Sequence, residues 1–591
     1  LRGFFLEKKS CHRTGARIPI ENDGVQVNFC KNPLCDNYGV PASTKRQPRG
    51  PGASTRGRDN YKLSKKQRVT LICGYCGETF PVKSNLAIAQ EVKRHGDYLM
   101  PTNQVTCPNN KCRNHMVSIS VGKQAYQSFG KTKSGSPRYR CKVCKKTFSV
   151  KRATTGQKQP HKNKIIFKLL MNKSPFRRIC EVADISMSTV YNKIDFIHKQ
   201  CLAFVAERER KLIDKHIERV YVSVDRQEYV VNWSRRDDKR NITLSAIGSA
   251  DNQTGYVFGM HLNYDPSINP VRVEADATII GDNTQDYAYR KHARLWLQSD
   301  YLESLKQSVK RKRTASGITG DITEIYNEAT QRVDIENPES MTISEQLPSK
   351  GMQVHSDYTM YGHFFHLHKL LGNVEKVRFF LDQDSGIRAA CLSAFQKEVL
   401  NRTCDAFYVR LNKDLTVDEK RRVLRESRQL FKDVQANHPD LTENKVKLML
   451  IKQRMANMQE IGKWKDRWLL HPFPNMSEPE KAICYLTNYN DYDEEHQAWL
   501  YNKASMHGID CFFMQVRRRL SLLERPIASA SAARRMWYGY SAYNPAVIVK
   551  LLDIFRVYYN YCLAGKNKQT PAMRLGLAKG KVPLEDIIYF N

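Results

Sequence analysis

The stretch KVRFFLDQDSGIRAA, residues 376–390, climbs through an apolar run and then sets two aspartates around a glutamine. Its apolar part has the β-branched and aromatic make-up of a buried strand. Acids at the lip of such a strand have two readings. Asp382 and Asp384 shape a turn, or one of them binds a metal ion, and the rest of the chain has to choose.

At 591 residues the chain exceeds what one core can serve, so several domains are expected. The formal net charge of +36 implies a polyanionic partner, because so large a surplus repels itself in the compact state. Basic residues run the whole length and no amphipathic anchor stands out, which favours nucleic acid over anionic membrane. No apolar run is long enough to span a bilayer, and the first residues carry no signal-peptide core. A cytoplasmic setting is therefore expected, where paired cysteines mean metal more often than disulfide.

The cysteines repeat a pattern. Cys30 and Cys35 are followed by Cys73 and Cys76, then Cys107 and Cys112 by Cys141 and Cys144. Each half holds a C-x4-C knuckle, a spacer, a C-x2-C knuckle and a Thr-Phe at the same offset, ending on Phe80 and Phe148. Two tetrahedral four-cysteine Zn²⁺ sites account for this spacing, since each knuckle presents two thiolates from one turn. The intervening loops, 45–58 and 129–140, are rich in Gly, Pro, Ser and Arg and suit phosphate contact.

Residues 174–200, SPFRRICEVADISMSTVYNKIDFIHKQ, read as a helix-turn-helix. Ser174 and Pro175 open the first helix, and Ile179, Val182, Ile185, Val190 and Ile194 keep one apolar face across a break at 184–187. Ser188 caps the second helix, which would offer Thr189, Tyr191, Asn192 and Lys193 to a DNA major groove. A plain helical hairpin shares the apolar pattern; the basic neighbours favour DNA.

Residues 219–225, RVYVSVD, form an alternating strand ending on Asp225, and 241–249 and 254–262 complete a three-strand meander. If this strand lies parallel beside the one ending on Asp382, the two carboxylates fall a few ångströms apart. Like charges that close need a cation between them. A third acid is expected from a helix packed on the sheet, and HGIDCFFMQVRRRLSLLERP, 507–526, fits. Ile509, Phe513, Val516, Leu520 and Leu523 form its buried stripe, with Asp510 at the margin and Arg517, Ser521 and Glu524 on the same side. His507, Glu228 and Asp357 are further polar groups that read equally well as ordinary residues.

The order of a ribbon carrying YRCKVCKKTF, a helix-turn-helix, strands ending on Asp225 and Asp382, and a basic helix opening on Asp510 resembles insertion-sequence transposases of the DDE/DDD superfamily. The tail is similar too, with Trp537, the YNP of 543–545 and QTPAMRLGLA at 569–578. The resemblance implies a multidomain α/β protein whose ribonuclease H-like catalytic core carries a helical insertion and follows two zinc ribbons and a helix-turn-helix. It makes Asp225, Asp382 and Asp510 the catalytic acids, the last standing where the family has Glu, and leaves Asp384 to cap the next helix. It also implies two Mg²⁺ ions, with Mn²⁺ as a substitute, Asp225 bridging both and the other acids completing one side each. The partners would be double-stranded DNA at element ends and target, and further copies of the chain, in a bacterial nucleoid.

The expected divisions are 1–95 and 96–155 for the ribbons and 156–215 for the helix-turn-helix. The core covers 216–400 and 502–565 around a helical insertion at 401–501, with a tail at 566–591. A polar insertion near 265–350 is expected to mix loop and helix. The alternative function is a DNA-binding regulator that keeps the fold and has lost catalysis; a third is an RNA-acting nuclease, which the helix-turn-helix disfavours.

Overall fold

The computed structural model describes residues 16–45, 59–65, 68–100, 105–119, 122–132, 136–150, 153–232, 238–307, 317–412, 414–462, 465–524, 527–528, 536–537 and 541–590. Two small antiparallel sheets come first. Tyr61–Lys65 (β1), Val69–Cys73 (β2) and Thr79–Pro81 (β3) form one, followed by helix Asn85–Gly96 (α1), which Ser84 caps by accepting from the Ala87 amide. Tyr126–Lys131 (β4), Pro137–Cys141 (β5) and Thr147–Ser149 (β6) form the other in the same order.

Helices Asn163–Leu170 (α2), Phe176–Ala183 (α3) and Met187–Ile213 (α4) follow. The break between α3 and α4 comes at Asp184, in the left-handed region at φ 47°. The cap of α4 is Ser186, not Ser188: its hydroxyl accepts from the Thr189 amide at 3.3 Å. Ile179, Val190 and Ile194 are buried as periodicity predicts, but Val182 is exposed. The second helix runs well past residue 200, to Ile213.

The main sheet begins with Ile217–Val231 (β7), Ile242–Asp251 (β8) and Val257–Leu262 (β9), the expected meander. A two-strand ladder of Tyr264–Asp265 (β10) and Met352–Gln353 (β11) brackets the insertion, which holds helices Pro270–Ile280 (α5), Gln298–Gln307 (α6) and Gly317–Gln331 (α7). Ser356–Leu370 (α8) leads to Val374–Asp382 (β12), then Ser385–Ala394 (α9), Gln396–Leu400 (α10) and Cys404–Leu411 (β13). The opening stretch is thus a strand with Phe379, Phe380 and Leu381 fully buried.

The region expected to be a helical insertion is only partly so. Val417–Asn437 (α11) and Glu443–Met455 (α12) are the helices that spacing predicted, each capped by a threonine, Thr416 and Thr442. However, β13 belongs to the core, and Gln459–Ile461 (β14), Asp466–Leu470 (β15) and Lys481–Tyr485 (β16) extend its sheet. Runs of three to five residues such as KAICY are too short for periodicity to separate strand from helix. Glu494–Lys503 (α13) and His507–Arg519 (α14) close this part. The remaining elements are strands Ile527–Ala528 (β17) and Met536–Trp537 (β18), and helices Pro545–Tyr561 (α15), Pro571–Arg574 (α16) and Leu584–Ile588 (α17).

The eight-stranded mixed sheet has the order β14-β15-β16-β13-β12-β7-β8-β9. β12 runs parallel to both β7 and β13, while β8 and β16 are antiparallel to their neighbours. Parallel neighbours need crossovers, supplied by α8 before β12 and by α9 and α10 after it. Helices cover both faces. A Cβ on Gly248 would meet Ile509 and Phe513 of α14, and one on Gly259 would meet His363 of α8. Gly248 pairs with Met260, the neighbour of Gly259, so the two glycines present opposite faces. The architecture is multidomain α/β with a three-layer centre. Among the described residues, no helix is long and apolar enough to cross a membrane.

The first ribbon is not a detached module. Val25, Val27, Phe29 and Tyr38 belong to the main hydrophobic core, and the Tyr38 hydroxyl donates to the Leu392 carbonyl at 2.8 Å. Lys83 pairs with Asp334 at 2.8 Å and Asp357 at 2.5 Å, all three side chains buried. Burial alone would lower the Lys83 pKa; Asp334, Asp357 and Glu336 outweigh it and hold the group above its usual value.

Candidate carboxylate site and metal centres

Asp225 lies within β7 rather than at its end: the strand pairs with β8 as far as Val231 and Ile242. Its other edge opens where β12 stops. The β7–β12 register ends at Val224 and Leu381, so the next position puts Asp382 beside Asp225. Register neighbours share a face, and Asp225 also pairs with Gly248 on β8, the glycine under α14. Both aspartates therefore belong to the α14 face.

The helix is fixed at its start by that same face. Ser223, two residues before Asp225, accepts from the Ile509 amide at 3.0 Å, and Asn252 accepts from the Gly508 amide at 2.9 Å. Ile509 and Phe513 pack over Gly248, where a side chain of any size would hold them off. Asp510 lies in the first turn of the helix so anchored. Further along β7, Arg517 lines a cleft of about 270 Å³ with Arg226, Tyr229 and Glu524. Asp225 and Asp382 are neighbours on one face, and Asp510 is on the helix packed over it; among the described residues, only the two cysteine sets bring three or more ligand atoms within 4.8 Å of one another.

Two arginines that the sequence reading missed stand among these acids. Arg226 donates to Asp384 at 2.6 Å, and Arg410 lies 3.8 Å from Asp382 and 2.6 Å from Asp321 of α7. Burial would depress the Arg226 pKa, yet Asp384, Glu339, Asp382 and Asp225 around it raise it. Asp384 is the helix cap that was expected. Its Oδ1 accepts from the Gly386 and Ile387 amides at 2.7 and 3.2 Å. Gln383, between the acids, is buried and donates to the Ile322 carbonyl. Of the other polar candidates, His507 and Glu228 are exposed, and Asp357 is the buried partner of Lys83.

The eight knuckle cysteines form two groups, Cys30, Cys35, Cys73 and Cys76, and Cys107, Cys112, Cys141 and Cys144. Sulfur pairs stand 3.5 and 3.6 Å apart in the first and 3.3 and 3.7 Å in the second. Thiolates held about 2.3 Å from a tetrahedral centre are about 3.8 Å from each other, so both groups fit structural zinc. The two are built alike around a tyrosine. Tyr61 pairs with Cys73 and Tyr126 with Cys141; each hydroxyl accepts from the amide of the first cysteine, Cys30 at 2.9 Å and Cys107 at 3.0 Å. Asn37 and Asn114, each two residues after a cysteine, donate to Cys73 and Cys141. The tyrosines and asparagines recur at matched places in the sequence and could have been found by aligning the halves.

In the helix pair, Tyr191 and Asn192 are exposed and Thr189 is half-buried. Lys193 departs from expectation: its side chain is buried, with the ammonium turned back to the carbonyls of Lys158 and Gln159 and the Gln157 amide oxygen. It lies one position from the buried Ile194, and carbonyl acceptors make that burial affordable. No protein-family model matches the chain, and no curated protein matches it.

Proposed function

We propose that the protein is a DNA transposase of the DDE/DDD type, acting on element ends through a ribonuclease H-like core. The observation that carries the reading is the placement of Asp382 beside Asp225 on one face of parallel strands, under a helix that opens on Asp510. The order β9-β8-β7-β12-β13, with three antiparallel strands and then two parallel ones, supports a ribonuclease H-like core.

Three carboxylates are the hard oxygen donors that Mg²⁺ or Mn²⁺ takes. Bound there, two such ions would activate a water or 3′-hydroxyl and stabilise the leaving oxygen of a phosphodiester. The chain's own contributions are distinct. Ser223 and Gly248 seat α14 so that Asp510 comes to the strand edge, Asp384 fixes the start of α9, and Arg517 offers a positive charge along the cleft beside β7. The surplus of +36 steers polyanionic DNA towards the molecule.

The test is nicking and strand transfer on duplexes carrying the element's ends, with Mg²⁺ or Mn²⁺. Each of Asp225→Ala, Asp382→Ala and Asp510→Ala is expected to abolish both steps and leave end binding intact. Cleavage that survives Asp382→Ala would exclude this site. A second reading, a DNA-binding regulator without catalysis, is favoured by Arg226 and Arg410 standing among the acids. It predicts end binding with no cleavage under any divalent ion.

A further inference from the structure

The twin ribbons share a frame and differ outside it. Counting from the paired tyrosine and cysteine, Thr70 and Ile72 of β2 occupy the places of Arg138 and Arg140 of β5. Arg138 and Arg140 are alternate strand residues and so share a face. Their guanidiniums lie 5.5 and 5.8 Å from the ring of Phe129 on β4, which is 43% exposed. An exposed aromatic between two arginines on a strand face is a nucleic-acid contact surface in its chemistry: cations for phosphate, a ring for sugar or base.

The surroundings differ in the same sense. No aspartate or glutamate occurs between Asp97 and Glu181, a stretch that holds the whole second ribbon and Lys111, Arg113, Lys123, Lys131, Lys142, Lys145 and Lys146. The first ribbon carries Asp36, Asp59 and Glu78. It is also occupied: Glu78 pairs with Arg388 of α9 at 2.9 Å, Tyr489 donates to the Pro33 carbonyl at 2.8 Å, and Ala288 joins its hydrophobic cluster. The second ribbon has a small cluster of its own, and the hydrogen bonds its described residues make with described partners stay inside it.

We propose that the face of the second ribbon bearing Phe129, Arg138 and Arg140 docks duplex DNA, while the first ribbon, on the same frame, serves as a wall of the core and not as a DNA reader. The inference rests on the transposase reading for its partner, DNA, and not on catalysis.

The experiment uses the full-length zinc-loaded chain and a labelled duplex, with binding measured by anisotropy without added Mg²⁺ or Mn²⁺ across a range of salt. The Arg138→Ala/Arg140→Ala variant, with its zinc content unchanged, is expected to bind about tenfold or more weakly and to reduce the slope of log affinity against log salt by about two. Phe129→Ala weakens binding with the slope unchanged, and Thr70→Ala leaves both as in the parent. Unchanged affinity and slope in the double arginine variant would overturn the proposal, as would an equal loss in Thr70→Ala. A loss confined to RNA or to anionic vesicles, with duplex binding intact, would overturn it too. Because no cleavage is read, a chain that binds through this face but never cuts DNA defeats the enzyme reading and leaves this one standing.

Discussion

Arg226 donates to the Asp384 carboxylate at 2.6 Å, joining the residue after Asp225 to the cap of the helix that follows Asp382. One ion pair thus links the middle of β7 to the end of β12, the two strands on which the proposed site depends. Its side chains are 23% and 7% exposed, so the pair is screened little by solvent. Arg226→Ala leaves the Asp384 carboxylate without its cation and should cost about 1–3 kcal/mol. Urea denaturation measures this, and Arg226→Lys should recover only part because a bidentate-capable fork is replaced by a point charge.

At Gly248, α14 packs close against the sheet. A Cβ there would lie 2.7 Å from Ile509 and 2.9 Å from Phe513. Gly248→Ala should destabilise the protein by about 1–3 kcal/mol through overpacking. It should also reduce cleavage more than end binding, because lifting α14 moves Asp510 from Asp225. Equal losses in both would mean that the helix does not position a catalytic group.

Four imidazoles meet in the core: His95 of α1 stacks on His261 of β9 at 3.8 Å, and His363 and His366 of α8 pack against His261. Burial, then the charge of Arg94 and the neighbouring rings, hold His95 well below its usual pKa; burial does the same for His261 and His363 and brings His366 to about 3. The unfolded chain binds protons at these sites below about pH 6.5 and the folded one does not. Stability is therefore full above that pH and falls as pH drops, by about 1.4 kcal/mol per pH unit for each imidazole. Denaturation between pH 5 and 6.5 reads the slope, which His366→Phe should reduce by about one proton. A flat profile would contradict the burial of the cluster.

The two four-cysteine groups, each fit for zinc, should differ in what their loss does. Cys73→Ser removes a ligand from a ribbon bonded to α9 and to the main core and should lower the main thermal transition. Cys141→Ser should cost one zinc and leave that transition in place. Metal content with calorimetry on both variants checks this; equal effects would mean that the ribbons are equally integrated.

Much of the centre was legible because it is written in local pattern. The knuckle spacing picked out the two groups of four cysteines and alternation the meander, whereas Asp384 was assigned as a cap only through the family resemblance. What was not legible depends on partners distant in sequence. Nothing near Tyr38 announces Leu392, and nothing near Lys83 announces Asp334 and Asp357, so the sequence gives no sign that the first ribbon, expected as a division of its own, is bonded into the core. The continuation of β7 past Asp225 was missed because an aspartate after a β-branched run looks like a strand end. Lys193 was given to DNA because exposure is the default for lysine, and its carbonyl acceptors come from a loop far earlier in the chain.

The central claim is that Asp225, Asp382 and Asp510 serve one divalent-ion site, and iron-mediated cleavage of the polypeptide tests it most directly. Fe²⁺ in place of Mg²⁺, with ascorbate and peroxide, cuts backbone near the bound ion, and the fragments are mapped by mass spectrometry. Cuts near all three residues, suppressed together by excess Mg²⁺ and lost in Asp382→Asn, are the predicted result. Mg²⁺-protected cuts near only one of them, or none, would contradict it.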